Sequence, residues 1–227
     1  MLYPLIPYVF IFSSVFFKRK HFQYKMTNTV NFHKFISLIK KKEIFMMIGN
    51  GTNNQFRYIS KIKTLLKNLL KKVPVGAVFL YFGDLPNKKK PDVGYLFQLL
   101  HELRPDILIY MIQIDAAKSW GVPDFVSVAY WHGNYTKKSC MWGGVKNGEA
   151  CSNTAKWVRV NKRVGITKIF IFGGGAITLD EYRLAKKLKI PFEYFPVDRK
   201  YMGDKKTKVT SNMSKKWRVG ITVEKIK

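Results

Sequence analysis

A recurring local grammar constrains the fold most. A run of apolar residues too short for a buried helix stops at Gly or Asp, and a stretch with helical periodicity follows. Residues 44–48 are apolar throughout and stop at Gly49. Beyond the polar loop of Gly49, Asn50, Gly51, Thr52, Asn53 and Asn54, apolar residues return at Ile59, Ile62, Leu65, Leu66, Leu69 and Leu70, the spacing of one helix face. Residues 75–82 form a second apolar run, ended by Gly83 and Asp84, and a helical pattern over 93–103 follows. Residues 107–114 form a third, ended by Asp115. Further strands are expected over 124–131, 168–172 and 192–197, and further helices over 30–42, 153–164 and 178–189.

Strands that lack inside/outside alternation are buried on both faces, and helices between them imply parallel pairing. The expected fold is therefore α/β: a single doubly wound, mostly parallel sheet of about six strands with helices on both faces, Rossmann-like in organisation. No repeat of fixed period and no linker divides residues 26–200, which read as one domain. Residues 132–153, rich in Gly and holding both cysteines, read as a long loop or a small hairpin. From residue 200 onward Gly, Thr, Ser and Asn are interspersed with basic residues, so 201–227 read as a basic tail without regular structure.

The 41 Lys and Arg against 14 Asp and Glu leave a formal net charge of +27, which draws anionic partners. Only eight of these cations are Arg, so the forked contacts that read base edges are scarce. With 47% hydrophobic residues the chain can fill a core, which excludes a disordered or disulfide-scaffold protein. Two cysteines, Cys140 and Cys151, fit neither a disulfide framework nor a redox pair, and the expected compartment is the reducing cytoplasm. With His132 they match no standard zinc spacing, so neither a metal nor a cofactor is expected.

Residues 1–17 are almost wholly apolar and Lys18, Arg19 and Lys20 follow at once. Three readings of residues 1–25 stand: a membrane anchor holding the body on the cytoplasmic side, a dispensable extension ahead of a start at Met26, or an early buried element.

In an open parallel sheet, ligands bind beyond the carboxyl ends of the strands. Two glycine loops there suit a phosphate: Gly49, Gly51 and Thr52 after the first apolar run, and Gly173, Gly174 and Gly175 after residues 168–172. Thr178 reads as a helix cap with Glu181 closing the box three residues on. Asp84 and Asp115 stand at two other strand ends, where they serve either as catalytic residues that bind ribose hydroxyls or position a water, or as caps and turn formers.

The stretch Gly173, Gly174, Gly175, Ala176, Ile177, Thr178, Leu179, Asp180, Glu181 resembles the PGGxGTxxE motif of the LOG family, the cytokinin-nucleotide phosphoribohydrolases. Gly174, Gly175, Thr178 and Glu181 match in register, while Gly173 and Ile177 stand where that family has proline and glycine. The resemblance implies a nucleoside monophosphate bracketed by the two loops, Glu181 as the catalytic carboxylate, and an arginine on the preceding helix, with Arg159 a candidate. A carboxylate beside the ribose would stabilise the positive charge that builds as an N-glycosidic bond breaks.

Two functions follow as expectations. One is a protein that binds a nucleotide or another phosphorylated small molecule, with cleavage of an N-glycosidic bond as its sharper form. The other is a basic nucleic-acid-binding or structural protein on the same scaffold without catalysis.

Overall fold

The computed structural model describes residues 28–49, 54–82, 85–133, 145–146, 149–150, 152–159, 164–174, 176–197 and 199–201. Its centre is a seven-stranded sheet in the order β1 (Asn28–Val30), β6 (Val128–His132), β5 (Leu108–Ile114), β4 (Val78–Tyr81), β2 (Ile44–Gly49), β9 (Ile166–Phe172), β10 (Phe192–Phe195). Every neighbouring pair is parallel. All carboxyl ends therefore lie on one rim.

Among the described residues five helices cover the two faces, as burial on both sides of the apolar runs requires. In β2, Ile44, Met46 and Ile48 pack with Phe35 and Ile39 of α1 (Phe32–Ile39), Trp157 and Val158 of α4 (Asn153–Arg159), and Tyr182 and Ala185 of α5 (Ala176–Lys187). The intervening Phe45 and Met47 pack with Leu66 and Leu69 of α2 (Ile59–Leu70) and with Leu96 and Leu100 of α3 (Val93–Leu103). Phe45 stacks between Phe79 and Phe170 at centroid distances of 5.3 and 5.6 Å, so three adjacent strands share one aromatic row beneath α2 and α3. Asn31 caps α1 by accepting from Lys34 N–H, and Asp92 caps α3 by accepting from Gly94 and Tyr95 N–H. The fold is the doubly wound, Rossmann-like sheet that the apolar runs indicate.

Three elements differ from expectation. β1, where no strand was expected, is an edge strand that pairs with β6. Arg199–Tyr201, assigned in part to the tail, forms β11, antiparallel to β3 (Asn54–Phe56). Residues 132–153 contain a hairpin of β7 (Val145–Lys146) and β8 (Glu149–Ala150), the second of the two alternatives. Residues 202–227 lie outside the described part.

The membrane tether is corrected. Among the described residues no helix is long and apolar enough to cross a membrane, and residues 1–17, which prompted that reading, lie outside them.

Candidate functional site

Strand order puts the candidate site at the crossover of the sheet. From β2 the chain builds outward through β4 and β5 to β6, and only later returns to place β9 on the other side of β2. Connections thus leave in opposite directions at the carboxyl ends of β2 and β9, where open α/β sheets hold their ligands.

Both glycine corners sit there, in contact. Gly49 faces Phe172 across the β2–β9 ladder. A Cβ at Gly49 would stand 2.1 Å from the Phe172 carbonyl oxygen, so no other residue fits without moving the strand end. Gly173, at φ +60°, turns the chain out of β9, and its N–H donates to the Phe195 carbonyl at 3.0 Å. Gly174, at φ +116°, lies so close beneath Thr178 that an added Cβ would meet its side chain at 2.6 Å. Thr178 Oγ1 donates to the Gly49 carbonyl at 3.0 Å, tying two loops that are 129 residues apart.

This bond revises the expected cap. Helix α5 begins at Ala176, so Thr178 lies inside its first turn and reaches outward to Gly49, and Glu181 does not close a box. Thr178→Val should leave the Gly49 carbonyl without this donor and cost about 1–3 kcal/mol of stability. A urea titration with an unchanged midpoint would show that the corners hold without it.

Glu181, one turn further along the same helix face, is 4% exposed. Ser152 Oγ donates to Glu181 Oε1 at 2.5 Å, and Ser152 Oγ also accepts from Ala155 N–H at 3.0 Å, which places it at the head of α4. Burial pushes the Glu181 carboxyl up to about 7, against the opposing pull of the Ser152 and Thr154 hydroxyls. The group therefore changes charge near neutral pH.

Beside it stands a constellation that sequence reading missed. His132, at the end of β6, is buried, with Nε2 at 2.6 Å from Asn153 Oδ1 and Nδ1 at 3.2 Å from Lys156 Nζ. Asn153 Nδ2 donates to the Ile112 carbonyl, which orients Oδ1 as an acceptor. The pattern fits a neutral imidazole with its proton on Nε2. Burial lowers the His132 pKa, opposed by Asn153, reinforced by Lys156 and opposed by Asp115. Ser152 at a helix start was the signal available in the sequence; nothing in the spacing linked it to Glu181.

The other expected residues fall differently. Asp115, at the end of β5, pairs with Lys118 one short turn later, at 2.7 Å. Arg159 is exposed at the last position of α4, about 9 Å along the axis from Asn153. Gly51, Thr52, Asp84 and Gly175 lie outside the described residues. Among the described residues no three His, Cys, Asp or Glu side chains converge as a metal ion would require. A cavity of about 10 Å³, room for one water, opens between Tyr81, Met111, Gln113 and Trp120; no glycine-corner residue lines it. Two buried donors, Gln55 Nε2 on β3 and Trp157 Nε1 on α4, find no hydrogen-bond partner among the described residues.

Set against known proteins, the chain matches no family model and no curated protein. The likeness of residues 173–181 to the LOG motif is therefore corrected to a local one: it shows neither membership of that family nor a hydrolase.

Proposed function

We propose that the protein binds a nucleotide, its phosphate seated where Gly49, Gly173 and Gly174 meet at the head of α5. The Thr178–Gly49 bond carries this reading, because it holds the two glycine turns together at the crossover of the sheet. The head of the twelve-residue α5 offers backbone N–H groups and a positive dipole end to an anion, and the net charge of +27 favours the same guest. Gln55, a buried amide on the segment that follows the first glycine loop, supplies a donor in need of an acceptor.

A thermal-shift panel of AMP, GMP, CMP and UMP tests the reading. At one hundred times its dissociation constant, a nucleotide that binds only the folded form adds about 2.7 kcal/mol, roughly 5–10 °C for a chain of this size. Gly174→Asp, which sets a carboxylate in the cradle, should abolish the shift, and Thr178→Val should reduce it. Four flat melting curves at millimolar nucleotide would remove the proposal. Release of free base from the nucleotide that binds, read by chromatography for wild type and Glu181→Gln, decides separately whether bond cleavage accompanies binding.

A further inference from the structure

Helix α2 turns a single-sign surface to solvent. Its apolar positions Ile62, Leu66, Leu69 and Leu70 are buried against the sheet, and the remaining half of the helix exposes Ser60, Lys61, Lys63, Thr64, Lys67 and Asn68. Lys71, still helical at φ −62° and ψ −26°, and Lys72 carry that face past the helix end. No acid lies anywhere on α2. The acids of the neighbouring α3 and the turn after it are engaged elsewhere, Glu102 by Gln98 at 3.1 Å and Asp106 by Arg104 at 2.6 Å. Among the described residues no ion pair neutralises the α2 lysines.

At the start of the helix stands an aromatic ring. Tyr58 is 41% exposed, with Arg57 and Lys61 each 5.1 Å from its centroid. A cationic track with hydroxyl and amide side chains along it, and an exposed ring flanked by cations at one end, matches a chain of phosphates carrying stackable bases. A helix that lies in a membrane interface inserts an apolar face, and the apolar face of α2 is already buried in the core. We propose that the exposed face of α2, with Tyr58, docks single-stranded nucleic acid, the lysines holding phosphates and the tyrosine stacking a base.

Fluorescence anisotropy of the full chain with a fluorescein-labelled 20-nucleotide single-stranded RNA of mixed sequence, from 50 to 200 mM NaCl, tests the surface. The combined variant Lys63→Gln, Lys67→Gln and Lys71→Gln should bind at least tenfold more weakly at 50 mM. Its plot of log affinity against log salt should be shallower by about 2, since each neutralised phosphate contributes about 0.7 for a single strand. Tyr58→Ala should weaken binding at least fivefold with the salt slope unchanged. The control Lys205→Gln, Lys206→Gln and Lys208→Gln, in the equally basic C-terminal segment, should change affinity less than the α2 variant. If the α2 variant melts below wild type, the three single variants replace it, each flattening the slope by about 0.7. Wild-type affinity and slope in the α2 variants would overturn the proposal. So would a loss carried by the C-terminal control instead, or RNA left unbound while phosphatidylserine vesicles are bound through the same lysines.

Discussion

Replacing Glu181 by Gln should make the protein more stable at pH 8, by about 3 kcal/mol, while leaving its stability at pH 4.5 unchanged. The carboxyl is 4% exposed and its pKa stands at about 7 in the folded chain, against an ordinary 4.5. A folded-state value above the unfolded one means that the folded protein holds the proton more tightly. The stability this contributes is full below pH 4.5 and is lost as pH rises to about 7, an interval worth about 3 kcal/mol. Gln keeps the shape and still accepts from Ser152, but carries no charge to bury. The gain at pH 8 should raise the melting temperature by roughly 6–12 °C. Melts of both proteins across pH 4.5–8 check this; parallel curves throughout would show that Glu181 is already solvated. His132 acts in the opposite sense, because its pKa is lowered: its contribution is present above pH 6.5 and is lost as pH falls. The comparison of variant with wild type at each pH removes that common background.

The second large effect is expected at Gly49. A methyl group there meets the Phe172 backbone oxygen at 2.1 Å, and neither strand end can yield without opening the β2–β9 ladder and the Thr178 bond above it. Gly49→Ala should cost about 3 kcal/mol or more, within the range of severe single substitutions, and lower the melting temperature by roughly 6–12 °C. Gly76→Ala is the matched control. Gly76 sits at φ +76° with nothing within 4 Å of the added carbon, so it bears only the backbone penalty of about 1–2 kcal/mol. Equal losses at the two sites would mean that the strand ends part readily and that the corner is not a rigid cradle.

The sheet was legible because its central strands are buried on both faces. The runs that became β2, β4 and β5 show no alternation, and only a parallel sheet between two helix layers buries such runs completely. β1, β3 and β11 were not legible, since each is three residues long and stands by pairing with a partner that its own residues do not announce. Each glycine corner was visible as a loop after a strand. Their meeting was expected only through the resemblance and not from any local pattern, because it depends on β9 returning beside β2, and a local pattern holds no information about strand order. The spacing from Thr178 to Glu181 is ambiguous by nature. Three residues separate the partners of a capping box and also two side chains on one helix face, and only the start of α5 at Ala176 selects the second. The contacts of His132 with Asn153 and Lys156, and of Ser152 with Glu181, join three elements and leave no periodicity to read.

The claim on which the rest depends is that the joined glycine corners hold a phosphate. Calorimetric titration of the full chain with AMP and with adenosine, at one pH and salt concentration, tests it most directly. The account predicts that AMP binds at least tenfold more tightly than adenosine and that Gly174→Asp removes the difference. Equal affinity for the two, or an AMP preference that survives in Gly174→Asp, would contradict it.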